Sequence, residues 1–222
     1  MTQRTRIKIC GLTRPEDVDA AIAAGADAVG FVFYRPSPRY VTPALAATLL
    51  AQVRPFVTAV GLFVNASVEE VEQVVRQAPI ALLQFHGDET PQHCAQTAAA
   101  VNRPFIRALR IGRQTTGEDL LECVKVYRAA SPLFAGVLLD TLVEEYGGSG
   151  KVFDWSLIPE ELAPQVVLSG GLSEHNATDA VVLVRPFGVD ISSGVESAKG
   201  IKDAAAIGRF MAAVRQGDAL PR

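Results

Sequence analysis

The sequence predicts an α/β protein folded as a (β/α)8 barrel. Three observations lead there. Eight short apolar or β-branched runs recur along the 222 residues, at 7–10, 28–33, 57–64, 81–86, 105–111, 136–140, 166–169 and 188–192. Helical segments with their own start signals fall between them. Two glycine-rich turns follow the last two runs. Near-continuous hydrophobic runs suit strands buried on both faces, as in a parallel sheet wrapped by helices. Eight β-then-α units in this length describe a barrel near the compact end of its size range. A doubly wound open sheet is the alternative arrangement of such units. No linker or low-complexity stretch divides the chain, so residues 1–222 are expected to form one domain.

The first run reads Arg6-Ile7-Lys8-Ile9-Cys10. Side chains alternate along a strand, so an inward Cys10 brings Lys8 inward and turns Ile7 and Ile9 toward the helices. A thiol at the carboxyl end of a first barrel strand sits where such folds do chemistry; a lone cysteine is also a common small hydrophobe. The first helix starts at Pro15 and is capped by Gly25, with Val18, Ala21 and Ile22 as its apolar stripe. The loop after the second run carries Arg39. Its guanidinium suits a bidentate clamp on a carboxylate, although composition alone reads it as an exposed loop arginine. Thr42-Pro43 and Thr90-Pro91 are cap-then-proline helix starts. Ser67-Val68-Glu69-Glu70 is a capping box, with Val68, Val71 and Val75 on one face behind it. His86 closes the fourth run.

Asp140 closes the sixth run after Val137-Leu138-Leu139. A carboxylate there is costly unless it reaches solvent, a partner or a substrate, and a barrel mouth supplies that outlet. Residues 141–153 follow, with three glycines and no helical stripe; such a loop in a compact domain reads as a lid or binding loop. The seventh run enters Gly170-Gly171-Leu172 and the eighth enters Ser192-Ser193-Gly194-Val195. The loops after strands seven and eight of a barrel commonly hold phosphate on backbone N–H groups. Glycine lets the backbone approach an anion, and Ser192 and Ser193 add hydroxyls. Ile207, Phe210, Met211 and Val214 give the last helix a core-facing stripe. Residues 215–222 are polar and expected to fray.

Together, Cys10 and Asp140 offer a base and an acid at one mouth. The thiol needs a favourable local field to act as thiolate, and the acid needs its pKa raised. Asp190 lies in the eighth strand beside the first, where it faces either Lys8 as an interior pair or a substrate amine. His93 and His175 lie on helical segments and are expected at the surface. No two histidines have metal-ligand spacing, so no metal is expected. The net charge of −3 carries both signs dispersed, without a basic stripe, which speaks against nucleic acid. No apolar run reaches membrane-span length, and Met1 to Arg6 hold no signal-peptide segment. Three distant cysteines form no disulfide framework and point to the reducing cytoplasm.

In order along the chain stand KICGLT, GADAVGFVFYRPSPRYV, GLFVN, LLQFHGDE, LLDT, YGGSGKVFDW, VVLSGGL and VDISSGVE. Each is modest alone; the ordered set, spanning 7–214, resembles phosphoribosylanthranilate isomerase of tryptophan biosynthesis. The resemblance implies a single-domain TIM barrel. It also implies an Amadori rearrangement of N-(5-phosphoribosyl)anthranilate to the carboxyphenylamino-deoxyribulose phosphate, without metal or cofactor. It casts Asp140 as general acid for ring opening and Cys10 as general base at C2′. Arg39 would hold the anthranilate carboxylate, Asp190 would lie near the anthranilate nitrogen, and His86 would line the pocket. Gly170, Gly171, Ser192, Ser193 and Gly194 would hold the phosphate. The expected partner is a small phosphorylated substrate, with the protein a cytoplasmic monomer or homodimer. Three other readings compete. A bifunctional relative would carry aspartate in place of Cys10. A metal-dependent pentose-phosphate epimerase would need histidines beyond His86 at strand ends. A non-catalytic phosphate-binding barrel would need neither Cys10 nor Asp140.

Overall fold

The computed structural model describes residues 4–141 and 153–221. Eight strands close into a barrel in chain order: β1 (Arg6–Cys10), β2 (Ala28–Val32), β3 (Thr58–Phe63), β4 (Leu82–Phe85), β5 (Phe105–Ile111), β6 (Phe134–Thr141), β7 (Val166–Leu168) and β8 (Gly188–Ile191). Each pairs in parallel with the next, and β8 closes on β1 with Lys8 in register with Asp190. The open-sheet alternative is thereby excluded. Because every strand runs the same way, all eight carboxyl ends share one rim.

Alternation along the strands sorts the apolar residues into two cores. Ile7, Ile9, Val29, Phe31, Phe63, Leu83, Phe85 and Phe105 point outward and pack beneath the helices in one large cluster. Ile106, Ala108 and Leu138 form a small cluster inside the barrel, flanked by Leu82 and Val167. The register places Lys8, Gln84 and Asp190 on that same inner face. At the buried-area rate of about 25 cal/mol per Å2, the outer core supplies most of the hydrophobic stabilisation, which leaves the inner face free to carry polar groups.

Seven α-helices wrap the described barrel: α1 (Pro15–Ala24), α2 (Pro43–Leu50), α3 (Val68–Gln77), α4 (Pro91–Val101), α5 (Gly117–Ala130), α6 (Ala177–Val184) and α7 (Ala204–Ala219). Their ends follow the sequence signals. Gly25 caps α1 at φ +91°, a left-handed conformation that glycine adopts without strain. Ser67 and Glu70 form the reciprocal capping box on α3. Thr42 and Thr90 accept the N-terminal amides of α2 and α4.

Two expectations need correction. Eight helices were expected, but between β6 and β7 the described residues form only two 3-10 turns, Trp155–Leu157 and Ala163–Gln165. Pro159 and Pro164 each lack an amide donor and interrupt a continuous ladder there. The tail does not fray where expected. Helix α7 runs to Ala219, and Asp218 accepts from the Thr5 amide at 3.0 Å and its hydroxyl at 2.7 Å. The loop after β8 also holds a small antiparallel hairpin, β9 (Glu196–Ala198) and β10 (Ile201–Lys202). The glycine loop expected as a lid lies, apart from Thr141 and Phe153, outside the described residues. Among the described residues, no helix is long and apolar enough to cross a membrane.

Candidate active site

Cys10 is buried at the carboxyl end of β1, and its neighbours explain how the barrel accommodates it. A Cβ on Gly30, the register partner of Cys10 on β2, would lie 2.7 Å from the Cys10 Sγ and 3.1 Å from the Lys8 Cε. Only glycine leaves space for both side chains, so Gly30 makes the inward pocket. Lys8 Nζ bonds Asp190 Oδ1 at 2.7 Å, and both side chains are almost fully buried. The interior-pair alternative for Asp190 is the one realised; a direct role toward a substrate amine would share that carboxylate with Lys8. Burial pulls the Lys8 ammonium down, but Asp190 and Cys10 outweigh it and raise its pKa to about 12. Burial pushes the Cys10 thiol up, against the opposing fields of Lys8 and Lys202.

Arg39 reaches the same rim. A Cβ on Gly11 would lie 2.5 Å from the Arg39 Cδ and 3.1 Å from the Ser192 Oγ, so the arginine stem crosses the backbone just after Cys10. Gly11 has φ +76°, which suits it to that crossing. The guanidinium does make a bidentate fork, but its partner is Glu196: Nε to Oε1 at 2.7 Å and Nη2 to Oε2 at 2.8 Å. Lys202 Nζ donates to the same Oε1 at 2.8 Å and to the Ser192 carbonyl at 3.0 Å. Burial would raise the Glu196 carboxyl, yet Arg39 and Lys202 hold it below the usual carboxylate range. Glu196 closes the VDISSGVE motif, but its role is not legible there because Arg39 lies 157 positions away, and Lys202 escapes notice because the hairpin strands are too short to show alternation.

Across the barrel, Asp140 stands one residue before the end of β6 beside His86, with Oδ2 3.0 Å from the His86 Nε2. Gln84 Nε2 lies 2.9 Å from the His86 Nδ1. With the amide donating there, the ring carries its proton on Nε2 and presents it to Asp140. The turn after His86 is fixed from beneath. Buried Arg107 donates to the Phe85 and Gly87 carbonyls at 2.9 and 2.8 Å, and Glu89 accepts from the Gly87 amide at 2.9 Å. These bonds set where the imidazole starts, so His86 and Asp140 meet without adjustment. The other histidines differ in part from expectation. His93 is half-buried on α4, within 2.9 Å of the Ala66 carbonyl, and His175 is exposed in the turn before α6.

The two glycine turns meet each other at this rim. Gly170 and Gly171 are left-handed at φ +80° and +71°. A Cβ on Gly170 would press on the Asp140 carboxylate, 2.6 Å from Oδ1. One on Gly194 would collide with the Leu172 carbonyl and lie 2.9 Å from the Ile191 Cδ1. Glycine is needed at both positions for close approach. Among the described residues, the amides of Gly170, Gly171, Ser193 and Gly194 have no hydrogen-bond partner, which is the condition for an anion cradle. After Ser192 the chain forms a short 3-10 turn, Ser193–Val195.

One rim therefore carries a buried thiol among cations, a carboxylate on a histidine, an arginine and two open glycine turns. Such a set can move protons on a phosphorylated ligand. Residues 7–213 match the family profile described as N-(5'phosphoribosyl)anthranilate (PRA) isomerase. The N-(5'-phosphoribosyl)anthranilate isomerase of Herminiimonas arsenicoxydans is 68% identical over 219 residues, covering 99% of this chain and 96% of the relative. The crystal structure of the Thermotoga maritima enzyme superposes with a TM-score of 0.83 at 40% identity, covering 95% and 98% of the two chains. A second crystal structure, described as phosphoribosyl anthranilate isomerase in complex with reduced 1-(o-carboxyphenylamino)-1-deoxyribulose 5-phosphate, gives 0.80 at 37% identity and the same coverage. The chain belongs to the N-(5'-phosphoribosyl)anthranilate isomerase family.

Proposed function

We propose that this chain isomerises N-(5-phosphoribosyl)anthranilate to 1-(2-carboxyphenylamino)-1-deoxyribulose 5-phosphate, in tryptophan biosynthesis, by general acid–base catalysis. The substrate lies across the rim with its phosphate on the amides of Gly170, Gly171, Ser193 and Gly194 and the hydroxyls of Ser192 and Ser193. Its anthranilate carboxylate meets Arg39. Asp140 gives a proton to the furanose ring oxygen while the C1′–O bond breaks and the nitrogen lone pair forms the iminium. The Cys10 thiolate then takes the C2′ proton. The electrons of that C–H bond form the C1′=C2′ bond and neutralise the nitrogen. Return of a proton to C1′, with loss of the C2′ hydroxyl proton, yields the aminoketose. His86 holds the Asp140 carboxyl in place, and Lys8 with Asp190 shapes the field at Cys10. Proton transfers complete the sequence, so no metal or cofactor takes part. The enzyme acts as one barrel domain, as a cytoplasmic monomer or homodimer.

The observation that carries this reading is the placement of Cys10 and Asp140 at one rim, beside the two glycine turns. The test follows the fluorescence change as purified protein consumes freshly prepared phosphoribosylanthranilate. Positioned acid–base groups contribute about 10² to 10⁴-fold each. Asp140→Asn and Cys10→Ser should each lose turnover in that range while binding the reduced product analogue nearly as wild type. Near-normal turnover in either variant removes that residue from the mechanism.

A further inference from the structure

Glu196 has no part in the proton transfers, yet it is among the most heavily bonded carboxylates at the rim. It accepts two hydrogen bonds from Arg39 and one from Lys202, and its side chain is only 6% exposed. Lys202 is fully buried and extends the link to the carbonyl and hydroxyl of Ser192, at 3.0 and 3.2 Å. A continuous chain of bonds thus runs Arg39, Glu196, Lys202, Ser192. It joins the loop after β2 to the turn after β8.

The hairpin that carries Glu196 and Lys202 is itself pinned. Thr13 donates its hydroxyl to the Gly200 carbonyl at 2.6 Å, and the Lys202 amide donates to Asp17 at 3.2 Å. A Cβ on Gly200 would lie 2.9 Å from the Pro38 carbonyl, so the hairpin turn rests against the segment bearing Arg39. Guanidinium has five N–H donors in two forks. Glu196 takes the Nε–Nη2 fork, and the Nη1 end has no partner among the described residues. The three side chains sum to one positive charge, so the cluster still attracts an anion.

We infer that Glu196 is a positioning residue, which fixes Arg39 with one edge committed and its far end free, and ties it through Lys202 to the Ser192 turn. The substrate carries an anion at each end, and this chain of bonds sets the spacing of the two receptors. Removing the carboxylate would leave a buried lysine without its partner and an arginine free to explore its rotamers. Glu196 is not a temporary stand-in for the substrate carboxylate. Three charge-assisted bonds and burial hold it in place. The inference rests on the isomerase reading and on Arg39 as the carboxylate receptor.

The test uses two probes, reduced 1-(o-carboxyphenylamino)-1-deoxyribulose 5-phosphate and its counterpart lacking the ring carboxylate, titrated into wild type, Glu196→Gln, Arg39→Ala and the double variant. Wild type should prefer the carboxylated probe. Charge-assisted bonds of this kind correspond to about tenfold or more in affinity. Glu196→Gln should therefore lose about tenfold or more on the carboxylated probe and less than about threefold on the other. The double variant should bind no more weakly than Arg39→Ala alone, since the glutamate acts through the arginine. Equal losses on both probes, or additive losses in the double variant, overturn the positioning role. If wild type itself does not distinguish the probes, it is Arg39 as the receptor that fails. If wild type distinguishes them and Glu196→Gln does so equally, only the role of Glu196 fails. Should Glu196→Gln not fold, Glu196→Asp keeps the charge one methylene short. It should show a smaller loss, again confined to the carboxylated probe; no selective loss there overturns the inference.

Discussion

Cys10 sets the terms at the scale of single residues. Its thiol is raised by burial, with Lys8 and Lys202 opposing. A raised thiol pKa means the thiolate fraction grows only as pH climbs past the ordinary thiol range. Iodoacetamide labelling of Cys10, followed by peptide-resolved mass spectrometry, should accelerate with rising pH, and kcat/KM should rise over the same alkaline limb. A labelling rate that is flat from neutral pH upward would contradict this. Lys8 is subject to a second expectation. Lys8→Met leaves Asp190 charged and unpaired inside the barrel, which costs about 3–5 kcal/mol for a buried pair. Adding Asp190→Leu should restore much of that stability in urea melts, though not the activity. The Lys8–Cys10 side of the site was legible because a period of two places both on one face. The Arg39 fork was legible as a fork but not in its protein partner, since pairing across 157 positions leaves no local trace.

Elements were readable in proportion to how much their own chemistry decides them. The strand runs match to within a residue or two, because a strand buried on both faces must be apolar throughout. Helix starts matched where a cap and a proline coincide, as at Thr42 and Thr90. The 3-10 turns after β6 and the β9–β10 hairpin escaped notice. The turns are too short to carry a helical stripe, and the hairpin is held by contacts from other parts of the chain, such as the Lys202 amide on Asp17. The glycine turns belong to this scale too. Gly171 is left-handed, and a side chain there costs roughly 1–2 kcal/mol. Gly171→Ala should lower the melting temperature modestly and weaken the reduced product analogue by more than it weakens a ligand without phosphate. Unchanged discrimination between those two ligands would exclude this turn from phosphate binding.

For the whole molecule, parallel closure separates work from support. The carboxyl rim collects Cys10, Arg39, His86, Asp140 and both glycine turns, while the outer core beneath the helices carries most of the apolar burial. Strand count and the order of the units were readable from the sequence. Ring closure was expected from the eight units and the family resemblance; the units alone also fit an open sheet, and the β1–β8 pairing is what distinguishes the two.

The Thr5–Asp218 contact gives that closure a further meaning. Residues 213 positions apart in the chain lie a hydrogen bond apart in space, so the order in which the units are read is nearly arbitrary. A circular permutant should therefore fold, its old ends joined by a short flexible linker and new ones opened beside Phe56. Phe56 is fully exposed, in the turn between α2 and β3 at the opposite rim. That opening breaks no strand pairing and touches no site residue, so cooperative melting and isomerase turnover should both survive it. A permutant that folds but does not turn over would show that the seam between β1 and β8 is tuned by chain connectivity as well as by its bonds.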